Sequence, residues 1–174
     1  MVGVKELRYT APTNFILLGI HTLLQSLALG TFACLFHPTQ VLTGALHTLF
    51  ILLAITLYSF QPNEKFDLTP FGNLLLSSTV AFIIGGILHT VFKIPTGNNI
   101  LAGVGAALAG TYLAYDTQMI VGGTHRRKQY GQKEYILAAL NLYQDALNLF
   151  VQLMKLLNKS DDDRRRGGRR NGGK

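Results

Sequence analysis

Residues 15–36, FILLGIHTLLQSLALGTFACLF, run for 22 positions without a charged side chain. The apolar core of a bilayer is about 30 Å thick and takes ~20 residues of helix to cross. This stretch has that length, and two more follow. Residues 41–60 give 20 uncharged positions and residues 71–92 give 22. A fourth run, Ile100 to Val121, is broken only by Asp116. A fifth, Tyr135 to Leu157, spans 23 residues and carries Asp145 and Lys155. The pattern predicts an all-α, multispan helical membrane bundle of about five hydrophobic segments, 15–36, 41–60, 71–92, 100–121 and 135–157. Residues 1–157 are expected to form the transmembrane domain and residues 158–174 a disordered basic tail.

The composition agrees. Of 174 residues, 48% are hydrophobic and 14% charged, with mean hydropathy +0.26, whereas a soluble domain carries about 25% charged residues. A disordered chain lacks this apolar content. The single cysteine, Cys34, excludes an intrachain disulfide framework and a multi-Cys zinc site. The first run is too long for the 7–15 apolar residues of a signal peptide and is read as a retained span. No phosphate loop, nucleophile elbow or metalloprotease motif occurs, so neither an enzyme nor a cofactor is expected.

The connections read as caps and turns. Asn14 is expected to cap the first helix, and Thr69-Pro70 offers an N-cap followed by proline at the first helical position. His37-Pro38-Thr39 separates the first two runs, Lys93 to Asn99 holds Pro95 and Gly97, and Gly122-Gly123 ends the fourth run. Charge bias conflicts with itself. Five crossings put Lys5, Arg8, Lys65, Arg126, Arg127, Lys128 and Lys133 on one side. Arg164, Arg165, Arg166, Arg169, Arg170 and Lys174 fall on the other, and both groups favour the cytosol. The least apolar run, the fifth, is therefore expected to dip without a full crossing, leaving the 122–133 loop and the tail on one side.

The fifth run has the sharpest pattern. On a helical wheel Glu134, Asn141, Gln144, Asp145, Asn148, Gln152 and Lys155 share a stripe about 100° wide. Such a stripe lines a hydrated pathway, lies on the membrane surface, or binds neighbouring helices through its amides. In the fourth run Gly103, Ala107, Gly110 and Ala114 share a face within about 60° and predict close helix packing. Gly105 and Ala109 lie on the other side with Tyr112 and Asp116. An acid inside a span is a functional candidate, which singles out Asp116 and Asp145. His21, His47 and His89, one per run, suit interhelix hydrogen bonding better than a metal site or a pH sensor. The tail arginines are read as topology determinants, with anionic lipid a weaker alternative and no nucleic acid expected. Asn158-Lys159-Ser160 is a formal glycosylation sequon, expected to be unused so close to the membrane.

The two acids stand in recognisable words. Residues 114–123, AYDTQMIVGG, resemble the end of the penultimate helix of the Bax-inhibitor (lifeguard) family. Residues 134–150, EYILAALNLYQDALNLF, resemble its last helix. Pro12-Thr13-Asn14, Tyr58-Ser59-Phe60-Gln61 and Lys65-Phe66-Asp67-Leu68-Thr69 are similar to family loops. The resemblance covers about residues 8–157; the first run matches the family's third helix, so the first two are expected to be missing. Gln144 stands where the family often has Leu. The resemblance implies a last helix that is central or re-entrant, and residence in the endoplasmic reticulum or Golgi. It also implies suppression of cell death and a pH-dependent Ca²⁺ leak sensed by an aspartate pair, here Asp116 and Asp145, which would also hold Ca²⁺ in transit. Expected partners are membrane lipid, Ca²⁺ as permeant ion, and death regulators or calcium channels. The alternatives are a non-conducting membrane adaptor and an inactive truncated member. In an idealised hairpin the two acids differ in depth by roughly 8 Å. Tilt, or a fourth helix that continues past Val121, is expected to close that gap.

Overall fold

A computed structural model describes residues 11–61, 64–92, 98–122, 130–131 and 134–171, with the backbone alone for 64, 98–99 and 159–171. Among the described residues five α-helices follow one another: α1 (Thr13–Ala33), α2 (Pro38–Ser59), α3 (Gly72–Val91), α4 (Asn98–Val121) and α5 (Tyr135–Asn171). Two short 3₁₀ turns, Glu64–Phe66 and Thr69–Phe71, lead into α3. The helix from Thr13, the helix from Pro38, and the stretch Thr69–Val91 are each long and apolar enough to cross a membrane. Their large side chains are mostly exposed, as lipid-facing surfaces must be: Leu23, Leu27, Leu57 and Phe92 are examples. Hydroxyls within them are satisfied locally, since lipid offers no partner. Thr22, Thr43, Thr56 and Thr90, for instance, donate to the carbonyl four residues back.

The helices alternate in direction. Thr79 meets Tyr112, which sets α3 antiparallel to α4 together with Phe82 at Gly105. Gly44 of α2 lies under Phe150 and Met154 of α5, the Met154 Cγ only 3.0 Å from where a Cβ would stand. Asn14, Gln25 and Phe32 of α1 reach Tyr135, Gln144 and Lys155 in turn, so α1 runs parallel to α5. The helix from Tyr135 touches α1, α2 and α4 and is the central element. The core sits where α2, α4 and α5 meet. Ala109, Leu113 and Leu149 are buried there, with Ile51, Ile55 and Leu142 packed around them. Without water to expel, close packing rather than apolar transfer holds this centre together.

The caps differ in part from expectation. Asn14 lies inside the first turn of α1, its Oδ1 accepting from the Phe15 N–H and its Nδ2 donating to the Tyr135 hydroxyl. Thr69 is no N-cap either. Its N–H and hydroxyl both donate to Asp67, which folds an Asx turn ahead of α3. His37, by contrast, caps α2: its side chain accepts from the Thr39 N–H, and Gln40 accepts from the His37 N–H. Gly122 ends α4 with φ 65°, the left-handed conformation that a C-terminal glycine adopts without a Cβ penalty.

Two larger expectations are corrected. Of the small face, only Ala114 is buried; Gly103 and Gly110 have open space where a Cβ would point, and Ala107 is exposed. The face that packs is the opposite one, Ala102, Gly105 and Ala109, because it carries Leu113 and Asp116 into the core beside α5. The last helix is uninterrupted to Asn171, roughly 55 Å long. Residues 158–171, expected as a disordered tail, continue its backbone, because adding a turn to an existing helix costs far less than starting one. A re-entrant segment must reverse, and this helix does not. Lys5, Arg8, Pro95, Gly97, Gly123, Arg126, Arg127, Lys128 and Lys133 lie outside the described residues, so their roles in turns and topology stay as expectations.

Candidate functional site

The site forms where the end of α4 passes α5. Asp116 stands five residues before the end of α4, and Asp145 ten residues into α5. Helix α4 ends at Val121 as the glycines predict, so no continuation closes the depth gap. The 13-residue connection, 122–134, lets α5 begin past the end of α4 instead. The two carboxyls face each other across the two helices and are close enough to interact directly. Asp116 is 7% exposed and Asp145 9%.

The surroundings are polar but carry no neutralising cation among the described residues. Tyr130, in the connection, donates its N–H to the Met119 carbonyl at 3.2 Å, which ties it to the last turn of α4. Its hydroxyl accepts from Asn141 Nδ2 at 2.7 Å and faces Asp116 Oδ1 at 3.4 Å. A chain of groups therefore runs Asn141, Tyr130, Asp116, Asp145. Burial pushes the Tyr130 phenol up to about 12; the Asn141 hydrogen bond opposes this and the Asp116 carboxylate adds to it. Asp145 Oδ2 is buried without a donor from the described protein groups. A single proton shared between the two carboxyls would satisfy it, since a protonated carboxyl is a donor.

A cavity of about 410 Å³ opens beside the pair, walled by Tyr112, Tyr115 and Met119 of α4, Tyr130 above, and Asn141 and Gln144 of α5. A second cavity of about 410 Å³ follows along α5 between Phe82, Gly105 and Leu108, with Asn148 and Gln152 on its α5 wall. The predicted stripe is thus distributed over both: Asn141 and Gln144 line the first, Asn148 and Gln152 the second, and Asp145 both. Gln144 also accepts from Gln25 of α1, so one stripe residue binds a neighbouring helix. Lys155 is exposed and stands 5.9 Å from the Phe32 ring centroid. A surface-lying α5 is excluded, since Leu149 and Met154 are buried inside the bundle.

The histidines do not converge. His21, His47 and His89 lie on α1, α2 and α3, and no cluster of three metal-ligating side chains forms among the described residues. Gln118 is a residue the sequence reading passed over. It is buried, its Nε2 donates to the Phe66 carbonyl at 2.9 Å, and its Oε1 accepts from the Leu68 N–H at 2.8 Å. The Q of AYDTQ is thereby a clamp on the loop that carries Asp67 and Thr69, while Thr117 donates to the Leu113 carbonyl of its own helix. Only its place beside Asp116 in that word hinted at it. Tyr130 carried no signal at all, because nothing local says that a loop tyrosine folds back over two helices.

These features define a class: an all-α membrane bundle whose last two helices bring a carboxyl pair to a polar, cavity-lined centre. The chain belongs to the Bax-inhibitor family; the family model described as inhibitor of apoptosis-promoting Bax1 matches residues 1–162. It is similar to protein lifeguard 4 of Mus musculus, 34% identical over 86% of this chain and 60% of that protein. Bax inhibitor 1 of Schizosaccharomyces pombe is 32% identical over 90% of this chain and 56% of its own length. A BI1-like protein of Arabidopsis thaliana is 29% identical over 87% and 57%. The chain thus spans well under two thirds of the length of these relatives.

Proposed function

We propose that this protein is a pH-sensitive Ca²⁺ leak of endoplasmic reticulum or Golgi membranes that contributes to suppressing cell death. The observation that carries the reading is the pair of buried acids, Asp116 and Asp145, brought together from α4 and α5 beside one cavity. Membership of a family described as inhibitor of apoptosis-promoting Bax1 supports the cell-death part. Two carboxyls in contact cannot both ionise cheaply, so they take up either a proton or a cation. The doubly ionised pair offers oxygen ligands to a hard divalent ion. The singly protonated pair bonds α4 to α5 and closes the site. Proton and Ca²⁺ then compete, and acidification shifts the population toward the closed form. Phospholipid and the permeant Ca²⁺ are the partners this requires; death regulators or calcium channels are further candidates.

The test is Ca²⁺ flux in proteoliposomes from mildly acid to mildly alkaline pH. Asp145→Asn keeps shape and hydrogen-bonding capacity but removes a charge. It is expected to lower flux at neutral pH and flatten the pH profile. Asp116→Asn should do the same, and the double variant should add little, because residues acting as one unit are not additive. Independent effects, or an unchanged pH profile in both single variants, refute the pair as sensor.

A further inference from the structure

Among the described residues the two cavities share two wall residues, Tyr112 and Asp145. Together they follow the polar stripe of α5 from Asn141 to Gln152, roughly 16 Å along the helix. Asp145 is needed at the junction for its carboxyl. Tyr112 has no such part: it stands four residues before Asp116 on α4, and its ring borders both spaces. Its hydroxyl lies 3.0 Å from Thr79 Oγ1 on α3. Thr79 Oγ1 is also 3.0 Å from the Leu75 carbonyl. A threonine hydroxyl has one proton. With that proton on the Leu75 carbonyl, the oxygen accepts from the phenol, which orients Thr79 and fixes the direction of the Tyr112 hydroxyl.

We propose that the Tyr112 ring is the partition between the two cavities, held shut by Thr79, and that its swing joins them into one hydrated path. This rests on reading the stripe as an ion pathway. The geometry favours a movable partition over fixed packing. The ring has space on both sides, and a single side-chain hydrogen bond from another helix holds its tip. That helix, α3, packs on α4 and not on the central helix to any comparable extent. Movement of α3 against α4 therefore changes the hold on Tyr112 without disturbing the α2–α4–α5 core. The position has a chemical use as well. An aromatic face tolerates a passing cation, while the hydroxyl, once released from Thr79, is a polar ligand beside Asp145.

The experiment measures access. Cys34 is replaced by Ser, and single cysteines are placed in the first cavity (Asn141→Cys) or the second (Asn148→Cys). Sealed proteoliposomes receive a membrane-impermeant cationic thiosulfonate. Asn141→Cys gives the fraction of molecules with the first cavity outward, and its labelling should be the same in every variant. Asn148→Cys should label slowly with Tyr112 intact and far faster with Tyr112→Ala. Thr79→Val and Tyr112→Phe each remove the one hydrogen bond and should each accelerate labelling by about fivefold, as a ~1 kcal/mol bond predicts. Combined, they should add nothing. These two near-isosteric variants keep the test valid if Tyr112→Ala fails to fold. Rapid labelling of Asn148→Cys with Tyr112 intact overturns the proposal, as does unchanged slow labelling in all three variants. Ca²⁺ flux is recorded on unlabelled vesicles of the parent and of the same Tyr112 and Thr79 variants with Asn141 and Asn148 intact. Faster labelling without any flux leaves the partition standing and sinks the leak reading instead.

Discussion

Tyr130 is where a single residue ties three elements together. Its backbone N–H occupies a carbonyl that the last turn of α4 would otherwise leave open, and its hydroxyl lies between Asn141 of α5 and Asp116 of α4. Burial raises its phenol to about 12, against an ordinary value near 10. The folded state therefore holds the proton where the unfolded chain releases it. The stabilisation is complete below pH ~10 and is lost as pH rises through about 12. Tyr130→Phe should remove that alkaline component. A phenolate absorbance titration of parent minus variant should show one phenol ionising near 12; a difference curve centred near 10 would mean the hydroxyl is solvated. Asp116 and Asp145 could be singled out from the sequence because acids within apolar runs are conspicuous. Tyr130 could not, since its role depends on how a 13-residue connection folds back.

At the scale of the element, α4 has two small-residue faces, and only one is used. A Cβ at Gly105 would stand 2.7 Å from Gln152 Cδ and 2.9 Å from Phe82 Cζ. At Gly110 it would meet nothing within 4 Å. Gly105→Ala should therefore destabilise the bundle by about 1–3 kcal/mol, the cost of overpacking a fitted contact. Gly110→Ala should be neutral or should stabilise by up to about 1 kcal/mol through backbone entropy and helix propensity. Thermal unfolding in detergent compares the two, and equal losses would show that Gly110 packs as well. Periodicity showed correctly that α4 has small faces on both sides. It could not show which one meets α5, because that depends on the rotation of the helix, and the rotation follows from Leu113 and Asp116 entering the core.

The whole molecule is an alternating bundle in which α1, α3 and α5 run one way and α2 and α4 the other. An uninterrupted α5 puts its C-terminal end and Tyr130, which is bonded to the last turn of α4, at opposite ends of the bundle. Charge bias, by contrast, leads one to expect the 122–133 loop and the tail on one side. Helix continuity is a local energetic matter, whereas loop charge acts on insertion and leaves the packed helix unbroken. With a tag after Lys174 and an epitope in the 124–129 stretch, sealed microsomes should protect one of the two from protease and expose the other. Protection or exposure of both together would contradict a crossing α5.

The sequence by itself determined the number and position of the apolar helices, the family, the two acids, and the polar stripe that carries one of them. These follow from composition and from the period of 3.6, which any single helix displays. Only the tertiary structure decided that α4 presents Gly105 rather than Gly110 to its neighbours. The same holds for the start of α5 beyond the end of α4, which brings Asp116 level with Asp145, and for the placement of Tyr130 and Tyr112 at the two ends of the first cavity. Those outcomes depend on helix rotation, stagger and loop path. They are set by packing between segments far apart in the chain, and no local pattern encodes them.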